Sequence, residues 1–385
     1  MCGGVKVVLK FFATTITGLE DVAADEVWRL LGVEAFTDVS KVFFESTLEG
    51  CALLNFSAKS INRLYLLLAR SKASSLSEIE SVVGSQSFQE FIGREQSFAV
   101  RAERHGVHSF TSLDMAATVG RAIIESYRSA TGVRLRVDLS NPDVEFLAIL
   151  RDNDFILGLN TTGPSLHHRY YRLRHHRAGL APTIAYSMLM ISGWTAGEPL
   201  LDPFCGAGTI PIEAAIHALN IHPGLRAEKL ALRKLRMFDA ERLEEMSRRL
   251  LESEKNPEPL DITGVDASPR SIADAESNLE AAGLKGCVSF TVGDALRLER
   301  VLTEPARRIV CNPPFGLRMG LRDPETFYTE AFRSMRRACP GAGLTVLASK
   351  PVVVVRALEN SGWAVLGERR ILLGSISGYI ISAAT

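Results

Sequence analysis

The spacing of apolar positions changes character about halfway along the chain. From residue 183 onward, short apolar runs predict strands at 199–202, 262–266, 288–292, 308–311, 343–348, 368–373 and 377–383. Segments of helical period lie between them, at 183–192, 209–219, 269–282, 325–338 and 351–361. This alternation predicts an α/β domain with a mostly parallel sheet, which binds ligands at the carboxyl ends of its strands.

The first half has an order that is typical of α+β structure. Strands at 5–15, 39–45 and 61–69 alternate with helices at 19–31 and 51–55, which suits a small sandwich of ferredoxin type. A second group follows, with helices predicted at 77–91 and 111–131 and strands at 97–102, 134–138, 145–151 and 154–160. We interpret the His- and Arg-rich residues 164–182 as a connector outside the core, and the charged segment 227–254 as a helical surface insertion.

Composition narrows the class of protein. The 385 residues carry 44 basic and 44 acidic side chains, so any surface for a polyanion has to be local. The six cysteines form no CxxC pair, which argues against a zinc site or a disulfide framework and fits a reducing cytosol. The chain has no run of about 18 apolar residues, and residues 1–12 lack the long apolar stretch of a signal peptide. We therefore expect a cytoplasmic protein with no metal and no membrane segment.

The most specific motif is Asn312-Pro313-Pro314-Phe315, which directly follows the apolar run 308–311. An exocyclic amine conjugated to a planar ring is a poor nucleophile, because its lone pair is delocalised. The Asn312 side-chain oxygen and the Pro313 carbonyl can accept both N–H groups of such an amine and favour its pyramidal geometry, and two prolines stiffen the loop. Phe315 offers a face on which a flipped base can stack. Taken alone, the motif is equally typical of a turn that ends a strand.

Three other strand ends carry candidate ligand-binding residues. They are Asp202, Phe204, Gly206, Gly208 and Thr209 at the first, Asp266 and Ala267 at the second, and Asp294 and Ala295 at the third. The two glycines permit a close approach of the backbone to a ligand at a helix N-terminus, and the second and third acids can bind a ribose and an adenine amino group. Each acid alone is more typical of a turn or a helix cap. Together the four strand ends predict one crevice that holds an adenosyl group beside a base pocket.

These motifs make the half from Thr183 resemble the class I, Rossmann-fold methyltransferases that depend on S-adenosylmethionine, and the Asn-Pro-Pro-Phe motif resembles that of amino-methyltransferases. Residues 98–102, 137–143 and 157–163 resemble a THUMP domain that follows a ferredoxin-like domain, and 166–172 and 181–183 are similar to the same family. The whole chain is similar to THUMP-containing tRNA guanine-N2 methyltransferases, especially those acting at position 6 in the acceptor stem. Many of these have Tyr where this chain has Phe315.

The resemblance implies a domain order, a cofactor and a partner. The domains would be ferredoxin-like (1–70), THUMP (71–163), a basic linker (164–182) and the Rossmann-fold methyltransferase (183–385). S-adenosylmethionine would be bound by the strand-end residues, by Asn312 and by Thr183 near the methionine carboxylate. The partner would be tRNA, bound by a monomer through phosphate contacts from Arg101, Arg104, Arg169, Arg172, Arg174 and Arg177.

Alternatives stay open at this point. The motif does not separate guanine N2 in ribosomal RNA, or adenine N6 in RNA or DNA, from guanine N2 in tRNA, and a non-catalytic RNA-binding protein is a rival of another class. A nicotinamide dehydrogenase is disfavoured, because Pro211 stands where the third glycine of G-x-G-x-x-G would be. Cys205 and Cys311 border the crevice, but we expect them to be packing residues rather than the thiolate nucleophiles of pyrimidine carbon-5 methylation.

Overall fold

The computed structural model describes residues 7–173, 179–314, 323–374 and 376–385. The chain forms two compact units, and each is assembled from several stretches of sequence. Unit 1 comprises Met1–Thr14, Ala24–Leu166 and Ala227–Arg249, and unit 2 comprises Thr15–Ala23, His167–Arg226 and Leu250–Thr385. The domain boundaries expected from the sequence stay predictions.

Ten α-helices are found in the described residues. They are α1 (Glu20–Leu31), α2 (Leu48–Ser57), α3 (Leu76–Gly84), α4 (Ser112–Thr131), α5 (Pro182–Ile191), α6 (Thr209–Ala218), α7 (Ala240–Ser253), α8 (Pro269–Ala281), α9 (Pro324–Ala338) and α10 (Pro351–Asn360). Local sequence explains several of their ends. At α4, Thr111 and Asp114 form a reciprocal capping box, and Gly132 ends the helix with a φ of +72°. Proline opens α5, α8, α9 and α10, where its missing N–H costs no hydrogen bond.

Unit 1 is built on one sheet of eight strands. They are β1 (Leu9–Thr14), β2 (Ala35–Asp38), β3 (Lys41–Ser46), β4 (Arg63–Lys72), β5 (Ser97–His105), β6 (Arg136–Val137), β7 (Val144–Arg151) and β8 (Asp154–Asn160). Their spatial order is β2-β3-β1-β4-β8-β7-β5-β6. Antiparallel pairing of β4 with β8 joins the two groups of elements that the sequence predicts into one sheet. β2 was not predicted, so the first group is β-α-β-β-α-β rather than β-α-β-α-β.

Unit 2 contains a sheet of seven strands with the order β11-β10-β9-β12-β13-β15-β14. The strands are β9 (Leu200–Asp202), β10 (Ile262–Asp266), β11 (Ser289–Val292), β12 (Arg308–Cys311), β13 (Gly343–Ala348), β14 (Ala364–Leu373) and β15 (Ile376–Ala384). Strands β9 to β13 run parallel, and β15 is antiparallel to both of its neighbours. The predicted fold class, α/β with a mostly parallel sheet behind an α+β region, is confirmed.

The core of unit 2 lies on both faces of its sheet. Leu200 belongs to a cluster that includes buried residues of α5, α6 and α8, whereas Leu201 belongs to a cluster formed with α9 and α10. Successive strand residues point to opposite faces, so the two clusters cover the sheet from both sides. The carboxyl ends of the parallel strands are thereby held at one edge by packed layers.

Two predictions about exposed segments were wrong. In the segment 227–254, Leu230, Leu232 and Leu235 are buried, and Leu232 N donates to the carbonyl of Thr161 in unit 1 at 2.9 Å. The segment is therefore partly a core element of unit 1, and only α7 has the predicted character of a charged surface helix. Residues 164–182 are not simply a connector outside the core either, since Tyr171 is fully buried in unit 2.

Candidate active site at the strand ends of unit 2

The glycine turn between β9 and α6 has the geometry of a ligand cradle. Gly206 has a φ of +52° and Gly208 a φ of +81°, values that L-residues with a side chain rarely adopt. A Cβ on Gly208 would lie 2.8 Å from the Phe290 ring, so this glycine is needed for packing as well. A Cβ on Gly206 would meet no atom within 4 Å. The backbone at Gly206 therefore borders open space, which a ligand lying along the turn would fill.

Asp266 links the ends of the first three strands. One carboxylate oxygen accepts a bond from the Gly206 N–H at 3.0 Å, and the other accepts from Ser268 N at 2.9 Å. Gly293 N donates to the Asp266 carbonyl at 3.0 Å, which brings the end of β11 against the end of β10. Because a carboxylate has about four lone-pair sites, Asp266 retains acceptor capacity for further donors such as ribose hydroxyls.

Asp294 and the two alanines occupy different environments at the neighbouring strand ends. Asp294 is exposed, and its Oδ1 caps the 3-10 helix Ala295–Arg300 by accepting from Leu296 N at 2.9 Å. The second oxygen of Asp294 has no hydrogen-bond partner among the described residues. Ala267 is exposed and Ala295 is buried. The acids thus do act as caps, as their residue type suggests, but in positions that leave oxygens for a ligand.

Asp202, at the end of β9, is a buried acid with a raised pKa. Its side chain is 1% exposed, and burial raises the pKa of the carboxyl well above its usual range, against the lowering effect of the Phe204 N–H that it accepts at 3.1 Å. The negative charge of Asp266 raises the pKa further. A cationic ligand placed beside Asp202 would favour the ionised form instead.

The Asn312 loop presents an acceptor without a donor. Asn312 Oδ1 is buried and has no hydrogen-bond partner within the described part of the chain. Leaving such a group unpaired costs about 1–3 kcal/mol, a cost that a bound N–H group would remove. Pro313 is buried beside it, and the Pro314 carbonyl accepts a bond from the Tyr328 hydroxyl at 2.7 Å. Phe315, the predicted stacking residue, lies outside the described residues.

Neither cysteine at the site has the properties of a nucleophile. Cys311 is fully buried, and burial followed by the nearby Asp202 charge raises the pKa of its thiol well above the usual value. The pKa of Cys205 is raised by the same two causes and by Asp266. Because the thiolate is the reactive form, the buried, raised-pKa thiols suit packing residues rather than nucleophiles.

Of the remaining predicted cofactor residues, Thr183 and Thr209 lie in the first turns of two helices, and Phe204 lies in the glycine turn. Thr183 lies in the first turn of α5 and is buried, and Thr209 is the first residue of α6. The two helices share one hydrophobic cluster. Phe204 is half-buried, with its ring 6.1 Å from that of Phe327.

The predicted RNA-binding arginines are not equivalent. Arg101 is exposed and donates to Glu145 and to the carbonyl of Leu139, each at 2.9 Å, while Arg104 is half-buried and donates to Gly106 O at 3.1 Å. Arg172 is half-buried. Arg174 and Arg177 lie outside the described residues.

Arg169 requires a correction. Its side chain is 1% exposed and forms a bidentate pair with Glu213 on α6, with both N–O distances 3.0 Å, and Tyr171 donates to the same carboxylate at 2.9 Å. A guanidinium that is buried and paired is not available to a phosphate, so Arg169 is a structural residue of unit 2. Glu213 could have been found from the sequence, because it is the only charge in the apolar run 209–216.

Over the described ranges, no group of three or more His, Cys, Asp or Glu side chains is arranged to hold a metal ion. No helix in the part of the chain that the structure describes is long and apolar enough to cross a membrane.

Family models match most of the chain in three segments. Residues 169–377 match the model described as "RMKL-like, methyltransferase domain". Residues 73–160 match the THUMP domain, and residues 10–65 match the "RlmL ferredoxin-like domain".

Known proteins are similar over nearly the whole length. The protein named "tRNA (guanine(6)-N2)-methyltransferase" from Archaeoglobus fulgidus is 34% identical over 379 residues, which cover 97% of this chain and 92% of that protein. The protein of the same name from Methanocaldococcus jannaschii is 31% identical over 376 residues, or 96% and 98% of the two chains. The crystal structure of TrmN from Thermus thermophilus is 26% identical with a TM-score of 0.73, and covers 98% of this chain and 99% of that one.

Proposed function

This chain belongs to the THUMP-containing family of RMKL-like methyltransferases, and from that premise we propose its reaction. The protein methylates the exocyclic N2 of guanine in tRNA, with S-adenosylmethionine as the methyl donor. The target nucleotide we propose is position 6, in the acceptor stem. The names of the two archaeal relatives support this choice. The Asn312-Pro313-Pro314 loop at the end of β12 supports the chemistry.

The observation that carries the proposal is Asn312 Oδ1, which is buried and has no hydrogen-bond partner among the described residues. A guanine 2-amino group has two N–H donors and a delocalised lone pair. If one N–H donates to Asn312 Oδ1 and the other to the Pro313 carbonyl, the nitrogen becomes more pyramidal and its lone pair turns toward the methyl donor. The amine thereby supplies Asn312 Oδ1 with a donor, which none of the described residues provides.

When bound, S-adenosylmethionine would supply an electrophilic methyl group to the guanine nitrogen, and the electrons of the broken carbon–sulfur bond would stay on sulfur. The chain positions the reactants for this step, which is the main source of rate in such a reaction. Asp266 binds the ribose hydroxyls, Asp294 accepts from the adenine amino group, and Thr183 contacts the methionine carboxylate. The glycine turn lies along the methionine part, and Phe204, Thr209, Ala267 and Ala295 line the cofactor.

No strong base is needed at the acceptor nitrogen. Once methylated, the nitrogen carries a positive charge and is acidic, so its extra proton passes to water. The raised pKa of the two thiols agrees with this scheme, since neither is poised to attack a base.

We assign tRNA binding to unit 1 and to residues 172–177, which follow Leu166 in the sequence. We assign phosphate contacts to Arg101, Arg104 and Arg172, with Arg174 and Arg177 as further candidates. Such contacts recognise backbone and A-form shape rather than sequence. We further propose that the protein acts as a cytoplasmic monomer.

The test is methyl transfer to unmodified tRNA with labelled cofactor, followed by nucleoside analysis and mapping. We expect N2-methylguanosine at position 6, and none in a tRNA with adenine at that position. Asn312→Ala should lower kcat by about 10²–10³, the usual cost of losing one preorganised electrostatic contact, whereas Asn360→Ala at the exposed end of α10 should not change it. Full turnover by Asn312→Ala would refute the site. N6-methyladenosine, or activity only on ribosomal RNA, would instead support one of the alternatives.

A further inference from the structure

The Asn312-Pro313-Pro314 loop can donate few hydrogen bonds that would fix its position. Pro313 and Pro314 have no N–H to donate, and Asn312 Oδ1 has no donor among the described residues. Besides the packing of the buried Pro313, hydrogen bonds to the carbonyls of the loop can therefore hold it in place. The Tyr328 hydroxyl on α9 does so, at 2.7 Å from the Pro314 carbonyl oxygen.

Tyr328 is itself held rigidly. Its side chain is buried, its ring stacks on Phe332 at 6.2 Å with an interplanar angle of 21°, and it meets Phe327 edge-on at 5.7 Å. Phe332 belongs to the core cluster of α9 and α10. Asp323 caps the start of α9, where its Oδ1 accepts from Thr326 N at 3.2 Å. The hydroxyl thus projects from a packed helix with little freedom.

The same turn of α9 also contacts the glycine turn. The Phe327 ring lies 6.1 Å from the ring of Phe204, which sits between Asp202 and Gly206 in the proposed cofactor cradle. Adjacent residues of one helix thus touch the loop proposed to bind the base and the turn proposed to bind the cofactor. A fixed helix in this position sets the distance between the two.

We infer that Tyr328 is a positioning residue for methyl transfer: its hydroxyl holds the Pro314 carbonyl so that the two acceptors at Asn312 and Pro313 face the cofactor at the reactive distance. This inference rests on the proposed function. Tyr328 does not touch the reacting atoms and acts through the loop. Because a misplacement of about 1 Å can cost about 10²-fold in rate, the effect should appear in kcat and not in cofactor binding.

The test compares Tyr328→Phe with Tyr170→Phe. Tyr170 provides a matched control, since its hydroxyl also donates to a backbone carbonyl in unit 2, that of Ala282 at 3.1 Å. Tyr328→Phe should lower kcat by about 10- to 100-fold with an unchanged dissociation constant for S-adenosylmethionine, while Tyr170→Phe leaves both unchanged. An equal kcat in the two variants, or a loss of cofactor affinity that parallels the loss of kcat, would overturn the inference.

A double variant separates this inference from the proposed function. If Tyr328 acts through the Asn312 loop, Tyr328→Phe should have little further effect in an Asn312→Ala background, because the two changes remove one shared arrangement. Effects that multiply would show that Tyr328 acts elsewhere. If Asn312→Ala is impaired but Tyr328→Phe is not, only the role of Tyr328 is refuted. If Asn312→Ala is fully active, the proposed site itself fails.

Discussion

Among the ion pairs of unit 2, we expect the buried pair of Arg169 and Glu213 to contribute most to the free energy of unfolding. The Arg169 and Glu213 side chains are 1% and 0% exposed, and the carboxylate accepts three bonds, two from the guanidinium and one from Tyr171. Glu213→Gln removes the negative charge but keeps the shape. The substitution therefore removes the carboxylate charge that Glu213 places against the buried guanidinium.

The expected loss follows from that burial. Removing one partner of a buried ion pair costs about 3–5 kcal/mol, and the amide oxygen of glutamine keeps part of the hydrogen bonding, so we expect about 3 kcal/mol. With a urea slope of about 3 kcal/mol per M, the midpoint of unfolding should fall by about 1 M. The control is Glu280→Gln, whose carboxylate is 65% exposed and pairs with Lys285. That variant should unfold at the wild-type midpoint, because exposed pairs contribute little.

Tryptophan emission during urea unfolding is the suitable assay. Two of the three tryptophans, Trp194 and Trp363, are buried in unit 2, whereas Trp28 in unit 1 is 62% exposed. The emission change on unfolding therefore reports mainly on unit 2. Circular dichroism of the same samples shows whether unit 1 unfolds in the same transition.

A Glu213→Gln midpoint equal to that of Glu280→Gln would refute the reasoning. The double substitution Arg169→Met with Glu213→Leu sharpens the test, because it removes both charges and keeps the volume apolar. Such replacements are often neutral or stabilising, so the double variant should be more stable than Glu213→Gln. A double variant that is less stable would show that the hydrogen bonds of the pair, rather than the loss of the Glu213 charge, carry the energy.

Two more predictions concern charge at the site and on unit 1. For Asp202, the folded pKa lies above the unfolded value of about 3.9, so its contribution favours folding at low pH and is lost as pH rises toward the folded pKa. Without cofactor at neutral pH, the Asp202→Asn variant should therefore have a higher melting temperature than the wild type. The variant should also bind S-adenosylmethionine more weakly. A lower melting temperature than that of the wild type at every pH would contradict this prediction. Arg101→Ala should weaken tRNA binding and reduce the slope of log affinity against log salt concentration by about one. The control Arg121→Ala, on α4, should change neither. Measuring the tRNA affinity of both variants over a range of salt concentrations tests this prediction.

The sequence was sufficient for the order of elements around the site. The glycine turn, Asp266, Asp294 and the Asn312 loop each follow a strand, and the parallel sheet brings these strand ends to one edge. Local signals, namely apolar runs, glycine pairs and prolines, determine this part of the fold. The extra strand β2 was missed because its four residues lie between the predicted helix 19–31 and the predicted strand 39–45, with a turn of only two residues before β3.

The missed features depend on contacts between distant residues. The sequence predicts that Arg169 binds RNA, because it lies in the basic segment 164–182. In the structure, Arg169 instead pairs in the interior with Glu213, which is 44 positions away in the sequence. Tyr328 resembles any aromatic residue on the buried face of an amphipathic helix. Only the distance to the Pro314 carbonyl distinguishes it, and that distance is a property of tertiary packing.

The division of the chain into units has a consequence for how such proteins can be recombined. The chain passes from one unit to the other at 14/15, 23/24, 166/167, 226/227 and 249/250. A fusion joined at the single point after Leu166 would leave residues 15–23 with the wrong partner and would carry Leu230, Leu232 and Leu235 away from the unit that buries them. Exchange of unit 1 between relatives therefore requires at least the segment 227–249 to travel with residues 24–166. The two units should therefore be engineered as one interleaved sequence.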